Sequence, residues 1–466
     1  MTARQSELVA LVHLGCARNL IDSELILGRM AEEGLVVTGD PDVANTVVLN
    51  TCSFIGPARE ESHAAIRDLV ERKRAGDLGA VVVAGCLVQR YRRTLAKQYP
   101  DVDVFAEISD YRELARQIRR IADGATHRHY LEGPGLREPK REGARLLATP
   151  GSYAYLRISH GCDHTCSFCA IPSIRGPHRS KRPAAVLEEA EELIAAGVRE
   201  LVLVAEDSTA WGRDLGTELP TLVEALADLD GDARLRVMYA YPNRFPWDLT
   251  RLLADHPKVL PYLDIPIQHA STPVLRAMRR AGSGDQVRRI LDRLRSEVPG
   301  LTLRTTVLLG FPGETDEDAE EVVQLVRDYE LTRLGAFTYS PEEGTSGFDL
   351  QGEVPSDIAS ARRDAVLAER DAQLQRVQSS AVGTEVEILV DEPPVPAGQP
   401  GEGMVVGRAA CDAPEVDMVT FAHAPDASVG DRISVRIEGT DDEHNWMGGA
   451  ATAEETASLG SAPPGR

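Results

Sequence analysis

No run of about 18 apolar residues occurs in the 466-residue chain, so no transmembrane helix is expected. Positive charge is in short supply. Lys and Arg total 51 against 73 Asp and Glu, a formal net charge of -22. That balance excludes a globally basic nucleic-acid binder and leaves room only for a local basic patch. The start, MTARQSELVALVHLGC, lacks the marks of a signal peptide. One Arg precedes a short apolar run, a His interrupts that run, and no small-residue cleavage site follows. A cytoplasmic location is the expectation. Cysteine is scarce and odd in number, seven in all, which argues against a disulfide framework in so large a chain. What remains is an ordinary 42% apolar content and a length that suggests about three domains of roughly 150 residues.

The cysteines fall into two kinds. Cys162, Cys166 and Cys169 form a local C-x3-C-x2-C cluster, whereas Cys16, Cys52 and Cys86 are scattered and Cys411 stands alone. The scattered three each close an apolar run: LVALVHLGC, ANTVVLNTC and GAVVVAGC. Such Val- and Leu-rich runs suit strands buried on both faces. Helical patterns separate them, for example DSELILGRMAEEG, with Asp22 as expected N-cap and Gly34 as stop. Alternating strand and helix imply a parallel sheet, whose ligands bind beyond the carboxyl ends of the strands. All three cysteines fall at that edge. Taken singly, each reads equally as a buried small hydrophobe. Together they point to one site.

Charged, Gly- and Pro-rich residues 126–150 read as a linker. Six strand candidates follow: 153–159, 200–206, 235–241, 262–267, 301–310 and 333–340. With helices between them they suggest a partial (β/α)6 TIM-like barrel, with its active site at the carboxyl ends of the strands. The C-x3-C-x2-C cluster lies in the loop after the first of these. A long helix over 356–379 leads to four short strands without helices, a small OB-like β-barrel. The expected division is 1–125, linker 126–150, 151–378, 379–446 and a disordered tail over 447–466. The fold class is α/β, an N-terminal parallel α/β domain and a partial barrel, completed by the small β-barrel.

Three thiolates at this spacing suit one face of a [4Fe–4S] cubane, whose fourth iron stays open to a small molecule. The alternative is zinc, with His160, His164 or His178 as fourth ligand. HGCDHTCSFCAIPSIRG, with Phe168 before the third cysteine, resembles the radical S-adenosylmethionine signature. GCARNLIDSE, LNTCSFI and AGC resemble the N-terminal domain of the methylthiotransferase family, and the last segment is similar to its TRAM domain. The resemblance spans residues 8–446. Within the family, DIPIQHAS, GFPGETDED, YSPEEGT and DAPEVD are similar to the branch that methylthiolates an aspartate of small-subunit ribosomal protein number twelve.

That resemblance implies two [4Fe–4S] clusters and S-adenosyl-L-methionine. Cys162, Cys166 and Cys169 would hold the catalytic, radical-generating cluster, and Cys16, Cys52 and Cys86 an auxiliary cluster that carries the transferred sulfur. The cofactors supply the chemistry while the protein orients them. Phe168, Glu206, Gly310 and Phe311 are the S-adenosylmethionine contacts it suggests. Asp207, Gly313, Gln268 and His269 sit near the same strand ends. Arg175, Arg179, Lys181 and Arg182 form a basic run that either meets an acidic substrate residue or is a solvated face. An electron donor such as flavodoxin or ferredoxin is implied. Residues 383–446 hold 14 acidic residues against three Arg, a local charge of −11 that repels nucleic acid and favours a basic ribosomal protein. Asp412, Glu415 and Asp417 are candidate contacts, the alternative being a merely solubilising surface. A transfer-RNA enzyme of the same family and a non-catalytic zinc-binding interaction protein are the competing readings.

Overall fold

A computed structural model describes residues 8–125, 128–134, 139–280 and 282–450. Six parallel strands form the first sheet, in the order Val36–Thr38, Leu8–His13, Thr46–Thr51, Ala80–Gly85, Val104–Ala106 and His129–Leu131. Thr46–Thr51 and Ala80–Gly85 are buried at every position, which is why they read as unbroken apolar runs. The edge strand His129–Leu131 takes in residues that the sequence pattern assigns to the linker.

The first helix, Ala17–Glu32, starts earlier than expected, with Cys16 rather than Asp22 in the N-cap position. Asp22 lies inside the helix, fully buried, and accepts from Arg157 at 2.9 Å and Arg175 at 2.6 Å. Its Asp-Ser sequence looks like a cap, but the helix is sandwiched between two sheets, and there the carboxylate is a buried counter-ion. Ile21, Leu25 and Met30 share one core with Val48 and Val82 of the first sheet and with Tyr155, Val202 and Tyr262 of the second. Gly34, at φ 74°, ends the segment as expected. Residues 139–150 form a strap over this helix, with the Leu146 N–H bonded to the Glu24 carbonyl at 3.2 Å.

The second sheet is also parallel, with its six strands in chain order: Tyr153–Arg157, Glu200–Val204, Arg234–Val237, Val259–Asp264, Thr302–Leu309 and Arg333–Thr338. The fourth begins before the expected 262, because Pro261 disguises its first half; Ile265–Ile267 continues beyond the sheet as loop. Helices cover one face, where Leu156 and Leu203 pack with Val186, Leu222 and Val322. The other face receives the first helix. A two-residue antiparallel pair, Ser159–His160 with Arg179–Ser180, closes the cysteine loop; it is too short to leave a periodic signal.

Helix Ser356–Ser380 leads to a closed barrel of Glu385–Glu392, Met404–Ala409, Thr420–His423, Arg432–Thr440 and Trp446–Ala450. The fifth strand takes in residues 447–450, which the composition assigns to the tail. Gly448 is there because a Cβ would collide with the Arg436 carbonyl oxygen of the neighbouring strand. The rest of the expected tail, 451–466, lies outside the described residues.

The acidic loop of this barrel corrects one expectation. Asp412 and Asp417 do not face outward, whereas Glu415 is exposed but tied to the sheet below. Asp412 is buried and paired with Arg333 at 2.7 Å. Glu415 accepts from the hydroxyls of Tyr153 and Tyr155, each at 3.1 Å. Asp417 accepts from the Tyr262 hydroxyl at 2.6 Å and lies 3.4 Å from Arg304. The loop is a dock onto the same face of the second sheet that receives the first helix, where buried cations and hydroxyls need partners. Among the described residues, no helix is long and apolar enough to cross a membrane.

Candidate active site

Strand register assembles the first trio. His13 pairs with Asn50, Asn50 with Ala84 and Thr51 with Gly85, so the residues that follow emerge together at one edge. Cys16 caps the first helix, Cys52 follows its strand directly, and Cys86 opens helix Cys86–Gln98. Gly15, at φ 111°, lets the chain pass close to Cys52: a Cβ there would lie 3.2 Å from its Sγ. Asn19 ties the loops together, its amide donating to Leu14 at 2.7 Å and Thr51 at 3.2 Å. Burial pushes the Cys86 thiol up to about 11 and raises Cys52 as well. Burial also raises Cys16, but Arg18 and Arg175 overcome it and hold that thiol below its ordinary value.

The second trio sits on a loop pinned from several sides. Gly161, at φ 72°, has no space for a Cβ beside the Pro177 carbonyl. The Cys162 N–H bonds Gly176 at 3.0 Å, and Ser167 is held between Met278 and Gly347 at 2.9 and 2.7 Å. Burial raises the Cys162 thiol to about 12 and Cys169 to about 11. All six thiols are free of disulfides. Each site offers three soft sulfur donors, and Cys52, Cys86, Cys162 and Cys169, which burial makes reluctant to ionise alone, fit a cationic iron–sulfur group that would stabilise them as thiolates. Among the described residues no set of three or more His, Cys, Asp or Glu is arranged to hold a single metal ion.

A cleft with about 880 Å³ of empty space, part of it open to solvent, lies over the second trio. Phe168 and Glu206 line it, as do Gln268, Arg280, Tyr239 and Tyr241. Two residues reach it from the first domain, Arg18 and Phe54. Cys16, Cys52 and Cys86 are not in its wall. Gly310 and Phe311 are absent from it too. Gly310 is a packing glycine whose N–H donates to Glu314 at 2.9 Å and whose Cβ would strike Ala359. Phe311 is fully buried beside Val274, Met278 and Tyr339.

The remaining candidates separate. Asp207 accepts from His164 at 2.7 Å, and that ring stacks on Tyr241 at 3.7 Å. His269 is buried against Glu314 at 3.3 Å. Gly313 donates to the Gly352 carbonyl at 2.8 Å. The basic run divides: Lys181 is in the core with Glu189, Arg179 and Arg182 are exposed, and Arg175 points inward to Asp22, Asn19 and Cys86. Sequence reasoning missed Arg18, Phe54, Tyr239 and Arg280, which come to the cavity only through the meeting of separate loops. Cys411 sits between Asp412 and Arg333, with burial raising its thiol far above the reactive range.

Residues 156–326 match the Radical SAM superfamily, residues 8–107 the uncharacterized protein family UPF0004 and residues 382–447 the TRAM domain. In fold, the chain is similar to the radical S-adenosylmethionine methyltransferase TsrM from Kitasatospora setae, at TM-score 0.52 and 18% identity over 71% of this chain and 72% of that one. Fold and cysteine loop together define a radical S-adenosylmethionine enzyme, and that superfamily implies one [4Fe–4S] cluster and S-adenosylmethionine. The chain is 40% identical to the ribosomal protein uS12 methylthiotransferase RimO of Pelotomaculum thermopropionicum, covering 92% of this chain and 96% of that one. It is 37% identical to the RimO of Geobacter sulfurreducens, over 94% and 97%. The chain belongs to the RimO family of methylthiotransferases.

Proposed function

We propose that this enzyme methylthiolates the β-carbon of an aspartate in ribosomal protein uS12. The observation that carries the reading is the cavity over Cys162, Cys166 and Cys169, into which Arg18 and Phe54 extend from the loops of Cys16 and Cys52. Cys162, Cys166 and Cys169 would hold the cluster that binds S-adenosylmethionine, and Cys16, Cys52 and Cys86 a second cluster. When bound, these groups supply a carbon-centred radical, the sulfur and the methyl group. The protein's own part is positional. Phe168 and Tyr241 offer apolar and aromatic walls, and Glu206 offers a carboxylate suited to the cationic groups of S-adenosylmethionine. A flavodoxin or ferredoxin supplies the electron in the cytoplasm.

The C-terminal barrel offers the basic partner its outer acids, among them Glu392, Glu402, Asp426, Glu438, Asp442 and Glu443, all exposed. Transfer RNA is disfavoured by that charge. The test is the mass of uS12 from cells with and without the gene. A gain of one methylthio group that vanishes in the deletion strain is expected; equal masses refute the reading. Iron analysis of the anaerobically purified protein tests the second cluster, with about eight irons per chain expected and about four in a Cys16→Ala, Cys52→Ala, Cys86→Ala variant.

A further inference from the structure

A carboxylate lies one bond from the carbon to be modified, and a carboxylate taken out of water requires a cation. We propose that Arg18 receives the side-chain carboxylate of the target aspartate and so holds the β-carbon between the two cysteine trios, an inference that rests on the function proposed above.

Arg18 leaves the first turn of helix Ala17–Glu32 and crosses the ends of the second and third strands of the second sheet. It donates to the Ala205 carbonyl at 3.2 Å, and its guanidinium lies over the Tyr239 ring at 4.5 Å. Tyr239 is itself fixed, in the left-handed region at φ 60°, with its N–H bonded to Asp264 at 3.1 Å. The carbonyl and the ring aim the group, which also hydrogen-bonds the Cys16 side chain. Among the described residues Arg18 has no carboxylate within 4.0 Å of its nitrogens. It lines the cavity together with Cys162, Cys166 and Cys169 of one trio and stands two residues after Cys16 of the other, in the first turn of the helix that Cys16 opens.

The other basic side chains lining the cavity, His164 and Arg280, both sit against the second trio. His164 is paired with Asp207 and stacked on Tyr241. Arg280 lies on the Tyr241 ring, bonded to the Pro266 carbonyl and 3.7 Å from the Cys166 Sγ. Glu206 shares the wall, with one carboxylate oxygen buried and without a hydrogen-bond partner. Its charge also acts on Arg18 and suits the ammonium and sulfonium of S-adenosylmethionine; Arg18, two residues after Cys16 in the chain, is the guanidinium in this wall placed for an acidic side chain between the trios. A guanidinium fork also matches a carboxylate in shape, with two parallel N–H donors.

The test is binding of a fluorescent peptide of the uS12 target loop to the anaerobic holoenzyme, compared with the same peptide carrying Asn for the target Asp. Wild type should prefer the Asp peptide by about tenfold or more, the worth of a charge-assisted pair. Arg18→Met should lose that preference through weaker Asp-peptide binding alone, at unchanged iron content. Arg18→Lys should keep the preference with lower affinity. A wild-type preference retained in Arg18→Met overturns the inference, as does a wild type with no preference. Equal loss of both peptides in the Met and Lys variants marks a structural role and overturns it too. Wild-type protein that binds neither peptide counts against the proposed function instead.

Discussion

The guanidinium of Arg175 donates to the Cys86 thiol across 3.2 Å, so the loop bearing one cysteine trio is bonded to a member of the other. The same group ends on Asp22 at 2.6 Å and Asn19 at 3.3 Å, with its side chain only 4% exposed. Replacing it with Met leaves Asp22 dependent on Arg157 and removes the cation nearest Cys86. If Cys16, Cys52 and Cys86 hold the proposed second cluster, Arg175→Met should retain it poorly. Iron per chain should fall from about eight toward about four after desalting, with the Cys162 site still loaded. A full iron complement would contradict this.

Glu342 is the counterpart pin on the other side of the interface. Its side chain, 1% exposed, takes both Arg59 and Arg90 of the first domain. Glu342→Gln strands two cations against a neutral group. Breaking a buried pair from one side costs about 3–5 kcal/mol. Thermal melts should show the first domain unfolding at lower temperature than in wild type, and an unchanged melt would rule the pin out.

Gly28→Ala tests the strap. A Cβ at this position would drive into the Ala144 carbonyl oxygen where the chain crosses the first helix. Alanine normally favours a helix over glycine by roughly 1 kcal/mol, so a stabilised variant would show that the strap yields freely. The expected result is the reverse: lower stability and faster proteolysis between residues 139 and 150.

Acid should loosen the C-terminal barrel through Glu200. Burial opposes its ionisation, but Arg236 at 2.7 Å and Arg408 at 3.2 Å prevail and hold the carboxyl at about 2, below the ordinary 4.5. A depressed folded value means stability that is complete above pH 4.5 and lost as pH falls toward about 2. Glu200→Gln should be less stable at neutral pH and should show a flatter acid dependence across that window in pH-resolved melts. Parallel curves for the two proteins would sink the assignment.

Much of the architecture was legible because buried parallel strands announce themselves. The Val and Leu runs before Cys52 and Cys86 are uninterrupted for the same reason that the strands are covered on both faces. The cysteine edge followed from that alone. What escaped were features decided by distant partners. Asp22 has the local chemistry of a cap and the tertiary role of a counter-ion. Arg18 is one charged residue among 124 until the fold lays it against Tyr239. Gly310 and Phe311 lie outside the cavity wall, in a turn packed on Ala359, Val274 and Met278, a placement decided by those distant partners. The acids of DAPEVD looked like a binding surface because composition records charge but not which way it points.

That last loop has a mechanical consequence. Gripped at Arg333, Arg304, Tyr153, Tyr155 and Tyr262, it gives the terminal barrel no swivel against the sheet beneath the reaction chamber. Barrel and chamber mouth are thereby held at one fixed spacing, so a polypeptide that touched both would have to span it.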